Sequence, residues 1–130
     1  MKFAAVKDQT LGRVRPFRVQ EVLARRVWQG IYRELLEAER QSLRDFDSVT
    51  HPARKDFHEG RARMFGYAQD LWQQADAEVW LGRSSLRAEI AFLRETIRER
   101  LDVLIAASNR TKSYVSGMGS AAVRVRSIVR

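Results

Sequence analysis

Arg26, Arg33 and Arg40 recur at seven-residue spacing. Seven residues make nearly two turns of an α-helix, so the three guanidinium groups fall on one side of it. A guanidinium presents paired N–H donors that match carboxylate and phosphate oxygens, which the point charge of lysine does less specifically. No run of acids at the same spacing lies nearby, so the stripe reads as a surface for something acidic outside the chain. The plainer alternative is a solvated basic face.

The residues suggest no other chemistry. His51 and His58 are the only histidines, and their spacing across a helix start is poor metal geometry, so both are expected to be solvated. No serine has a base at a suggestive spacing, and Gly117-Met118-Gly119 is too short for a phosphate loop. Glu34, Glu37 and Glu39 stand beside arginines and read as surface pairs. The chain is therefore expected to be non-catalytic and to bind no metal or cofactor directly.

Composition frames these residues. The 130 residues are 45% hydrophobic and 31% charged, the balance of one helical globular domain. Without cysteine there is no disulfide framework, thiolate nucleophile or cysteine metal cluster. Lysine and arginine outnumber the acids by 24 to 16, for a net charge of +8, which suits nucleic acid, anionic lipid or acidic protein as partner. No apolar run approaches the roughly 20 residues needed to span a bilayer. Residues 1–16 read as a basic N-terminal arm, and the wider stretch Lys2, Lys7, Arg13, Arg15 and Arg18 is also compatible with a mitochondrial targeting region.

Hydrophobic spacing supplies the elements. A first helix is expected from near Pro16 or Phe17 to about Arg44, with Val19, Leu23, Val27, Ile31 and Leu35 as its apolar seam. Asp45 to Pro52 loses the period and turns the chain. A second helix from Ala53 to about Leu81 carries Phe57, Met64, Phe65, Ala68, Leu71, Trp72, Ala75 and Val79 on one stripe. Gly60 and Gly66 each cost about 1 kcal/mol in a helix interior relative to alanine, which implies a close approach there or a bend, the bend being favoured. Gly82 is placed to stop this helix and Ser84 or Ser85 to cap the next. The third helix, to about Ser108, has Leu86, Ile90, Leu93, Ile97, Leu101 and Leu104 as its seam. Trp28, Trp72 and Trp80 are expected as core or interface anchors. The fold expected is an all-α three-helix bundle over residues 17–108, followed by an extended basic tail over 109–130. The alternation in Ala122 to Val129 could make a short strand, but one strand needs a partner sheet.

Ile31-Tyr32-Arg33 in the first helix, Ala53-Arg54-Lys55-Asp56-Phe57 at the start of the second, and Ala68 to Trp80 with its alanine, acids and aromatic together resemble the LYR-motif family, small mitochondrial three-helix proteins. The last stretch looks like that family's closing helix. The resemblance covers roughly Gln20 to Ser85; isoleucine stands for the leucine, and Gly30 before it departs from the pattern. The resemblance implies a partner, the mitochondrial acyl carrier protein, whose acidic helix would meet Arg26, Ile31, Tyr32, Arg33, Arg40, Arg54 and Lys55. The carrier would supply acyl-phosphopantetheine, its chain entering a channel lined by Leu35, Phe57, Phe65 and Leu71. It also implies a mitochondrial accessory subunit on the matrix side of the inner membrane, closest in pattern to the membrane-arm LYR subunit of respiratory complex I. Iron–sulfur, respiratory-complex and mitoribosome assembly factors share the same core and stay open. Read from the residues alone, Tyr32 and Phe57 are equally well ordinary core aromatics. The rival classes are a basic helical module for RNA or DNA phosphates and a structural subunit of some other particle, such as a virion.

Overall fold

The structure, a computed structural model, describes the backbone of residues 2–130 and the side chains of residues 21–130. It is all-α, with four helices in the order α1 Lys2–Ser48, α2 Pro52–Trp80, α3 Leu86–Ala107 and α4 Lys112–Val129. Helix α1 is 47 residues long and includes the stretch expected as a separate arm, whose side chains lie outside the described residues. No described helix is long and apolar enough to cross a membrane.

The junctions follow their capping chemistry. Pro52 opens α2, and the His51 side chain accepts a hydrogen bond from the Ala53 N–H. Gly82 adopts a left-handed φ of 70° after the last turn of α2, and the Gly82 and Arg83 N–H groups return to the Val79 and Glu78 carbonyls. Ser85 caps α3 by accepting from the Ala88 N–H. Thr111 caps α4 by accepting from the Tyr114 N–H.

Helices α1 and α2 form an antiparallel hairpin, since Trp28 meets Trp72 near its open end while Lys55 reaches the Phe46 carbonyl near the turn. The buried seam of α1 is Trp28, Ile31, Leu35 and Ser42. Leu23 and Val27, expected in that seam, are 54% and 57% exposed; Val19 lies outside the described side chains. Four residues advance an α-helix by about 40° beyond a full turn, so a strict four-residue repeat winds off any single face.

The expected extended tail is a packed helix. Tyr114, Met118, Ala121, Ala122, Val125 and Val129 are buried, and their three- and four-residue spacing is that of a helix face. Helix α4 lies chiefly on α2, and two glycines set the distance between them. A Cβ on Gly117 would stand 1.9 Å from the Phe57 carbonyl oxygen, and one on Gly60 would stand 2.1 Å from that of Tyr114. Gly60 thus serves a close backbone approach, while α2 runs unbroken where a bend was expected. Gly66 leaves room for the Glu39 carboxylate, 2.8 Å from where its Cβ would sit. At the other end of α4, Arg94 of α3 donates to the Val129 and Arg130 carbonyls at 2.7 and 2.9 Å. The core is one cluster contributed by all four helices.

Candidate docking face

Helix α1 presents its guanidinium groups outward while its other side is locked to α2. Trp28 is wholly buried and stacks on Trp72 at a centroid distance of 5.0 Å. The Trp28 indole N–H donates to Asp76 Oδ1, and that of Trp72 donates to the Trp28 carbonyl, both at 2.9 Å. Both buried indole N–H groups are therefore satisfied, which fixes the register of the hairpin. Tyr32 continues the aromatic stack, its ring 4.6 Å from that of Trp72, and its hydroxyl accepts from Gln73 Nε2 at 3.1 Å.

One hollow borders that stack and a second lies beside it on α1. The first, of about 400 Å³, is lined by Gln29, Tyr32, Arg33, Trp72 and Gln73. The other, of about 260 Å³, is lined by Val22, Arg25, Arg26, Gln29 and Arg33. Gln29 and Arg33 border both, so the two hollows are neighbours along α1. Arg25, in the second, stacks over Trp80 at 5.6 Å, and Trp80 is 71% exposed rather than part of the core.

Arg26, Arg33 and Arg40 are exposed, and none forms an ion pair among the described residues. Two of the acids of α1 are engaged elsewhere: Glu37 is taken by Arg44 at 2.9 Å, and Glu39 lies against Gly66. The face therefore holds exposed guanidinium donors beside an exposed indole and a rigid aromatic stack, an arrangement that can receive carboxylates or phosphates.

The other expected site residues are placed differently. Ile31 is buried in the core beside Trp28 and Leu35, so it supports the face from beneath. Arg54 and Lys55 lie at the opposite end of the hairpin, since α1 and α2 are antiparallel. Lys55 donates to the Phe46 carbonyl at 3.0 Å and sits over the Phe46 ring, closing the C-terminal end of α1. Leu35 and Phe65 are fully buried and Leu71 nearly so. Phe57 is half-buried under α4, whereas Leu71 borders a hollow of about 140 Å³ shared with Phe92 and Leu93 of α3. These four residues do not line one open channel in this conformation.

The basic-x-Phe element and the Ala68–Trp80 stretch, which resemble successive helices of the LYR pattern, lie on the single helix α2. Sequence reasoning missed Arg25 and Gln29 as residues bordering these hollows; both sit one turn from Arg33 or Trp28, a signal available once Trp28 rather than Val27 is taken as the buried position. Compared with protein-family models, curated proteins and solved structures, the chain finds no match.

Proposed function

We propose that this chain is a non-catalytic docking subunit whose α1 guanidinium face receives an acidic protein surface. One observation carries the reading: Arg33, unpaired among the described residues, stands on a hollow whose other wall, Tyr32 and Trp72, is immobilised by stacking and hydrogen bonds, and Arg26, likewise unpaired, lines the neighbouring hollow. The planar arginine fork loses less freedom per hydrogen bond formed than a lysine would, and a charge-assisted hydrogen bond contributes about 1.5–3 kcal/mol.

The LYR resemblance supplies the finer proposal, in which the partner is a mitochondrial acyl carrier protein and the parent assembly is respiratory complex I at the matrix side of the inner membrane. In that reading the carrier's acidic helix docks on Arg26, Arg33 and Arg40. Its acyl chain must then part the helices, because Leu35 and Phe65 are sealed. Docking and acyl entry are consequently separable steps, the first electrostatic and the second dependent on opening of the core.

Co-expression with a mitochondrial acyl carrier protein, followed by purification and intact mass, tests both. Recovery of a complex that is lost in Arg26→Ala/Arg33→Ala with helicity intact supports docking on this face. A long acyl chain on the recovered carrier supports the finer reading, and equal recovery with unacylated carrier counts against acyl entry. Retention of duplex DNA or RNA in place of the carrier, with steep salt dependence, would favour the nucleic-acid reading.

A further inference from the structure

A second convergence of cationic side chains lies away from the α1 face, where α2 and α4 begin side by side. The pairs Asp56 with Thr111, Gly60 with Tyr114 and Arg61 with Ser120 advance together along the two helices, so α2 and α4 run parallel. Their N-termini therefore lie at the same end. Between them is a hollow of about 590 Å³ lined by His51, Arg54, His58, Lys112, Ser113 and Ser116, with Phe57 as its apolar side.

The charges around this hollow are of one sign. Among the described residues no acid lines it, and the acids closest in the sequence of α2 are engaged with the start of α4: Asp56 accepts from the Thr111 hydroxyl at 2.9 Å, and Glu59 pairs with Arg110 at 3.3 Å. Arg54 and Lys112 form no ion pair among the described residues. Neither helix has an acid in its first turn, so the partial positive charge of both N-termini adds to the side-chain cations instead of being offset. Lys112 and Ser113 open α4, where backbone N–H groups have no acceptor within the helix.

We infer that this hollow binds a phosphate-type anion, with Arg54 and Lys112 supplying charge and Ser113 and Ser116 supplying hydroxyl donors. The chemistry is that of a phosphomonoester, brought either by a free small molecule or by a lipid headgroup. It is independent of the α1 docking face and stands or falls separately.

The test uses the full chain, labelled with nitrogen-15, and follows its amide spectrum during titration with O-phosphoserine and, in a second arm, with phosphatidylcholine vesicles with and without phosphatidic acid. Saturable shifts at Lys112 and Ser113 are expected, with affinity falling about tenfold or more in Arg54→Gln/Lys112→Gln and several-fold in Ser116→Ala. Arg26→Gln/Arg33→Gln should leave it unchanged. Saturation by free O-phosphoserine identifies a soluble ligand, and binding only to phosphatidic acid vesicles identifies a headgroup. The inference is overturned if neither probe gives saturable shifts at these amides in the folded chain. It is equally overturned if Arg54→Gln/Lys112→Gln binds as well as the parent, or if chloride at equal ionic strength produces the same shifts.

Discussion

Replacing Gly117 by alanine should destabilise the chain, although the same change normally strengthens a helix. The added Cβ would stand 1.9 Å from the Phe57 carbonyl oxygen, against the 3.0 Å below which such contacts are essentially absent, so α4 must retreat from α2 by about 1 Å. The obstacle is a helix backbone and cannot rotate aside. Overpacking of this kind costs about 1–3 kcal/mol, and the helix propensity gained returns about 1 kcal/mol. The steric term is expected to prevail because the shift also loosens Tyr114, Met118 and Ala121, buried on the same face of α4. Gly30→Ala is the matched control: it lies inside α1 with nothing within 4 Å of its Cβ position, and should gain about 1 kcal/mol. Urea denaturation followed by far-UV circular dichroism reads both. A loss for Gly117→Ala beside a gain for Gly30→Ala is expected. Equal gains would refute the close crossing and with it the packed position of α4.

Three further outcomes follow from particular contacts. Trp28→Phe removes the donor to Asp76 and leaves that carboxylate short of a partner; it should cost about 1–3 kcal/mol in urea denaturation, and an unchanged midpoint would count against the lock between α1 and α2. Arg94→Ala frees the Val129 and Arg130 carbonyls, so amide exchange in the last turn of α4 should quicken while global stability falls by no more than about 1.5 kcal/mol; unchanged exchange would show that the cap is idle. The hydrogen bond from Arg98 holds the Glu95 carboxyl below its usual range. A depressed carboxylate pKa stabilises the fold at pH above the ordinary carboxylate range and loses that effect as pH falls through the folded value, but this exposed pair should contribute little. In Arg98→Ala the carboxyl-carbon titration of Glu95 should move up toward the ordinary range, and an unmoved curve would mean that the pair does not form in solution.

Much of the fold was legible because its elements carry local punctuation. The turn before Pro52, the stop at Gly82 and the cap at Ser85 are chemical signals, and each stands where its residue type leads one to expect it. The seam of α1 was misread for a geometric reason. The repeat Val19 to Leu35 at four-residue steps sweeps about 160° around a helix, whereas Trp28, Ile31, Leu35 and Ser42 alternate steps of three, four and seven and hold one face. The arginine stripe survived because a seven-residue step drifts by only about 20°.

Helix α4 was hidden by its own composition. Gly117 and Gly119 look like breakers, and Ala122 to Val129 alternates like a strand, yet small residues are what a helix needs where two backbones nearly touch. Its partner signal was Gly60, more than fifty positions away by sequence and adjacent only in space, which no local pattern contains. Arg54 and Lys55 were assigned to the wrong rim for a related reason: the antiparallel hairpin carries the start of α2 to the far end of α1 from Arg33. At the proposed docking face, the residue types were readable but the immobilising stack of Trp28, Tyr32 and Trp72 required the register between helices.

The docking claim is tested most directly by calorimetric affinity of the folded full chain for acylated mitochondrial acyl carrier protein, measured at stepped salt concentrations. Arg26→Ala/Arg33→Ala is compared with Arg87→Ala/Arg100→Ala, an equal loss of charge from exposed positions on α3. If the α1 face receives the partner, the first pair weakens binding at least tenfold and flattens its salt dependence, while the second pair leaves both nearly unchanged. Equal affinity for parent and Arg26→Ala/Arg33→Ala, or equal losses for the two pairs, would contradict a specific acidic partner on that face.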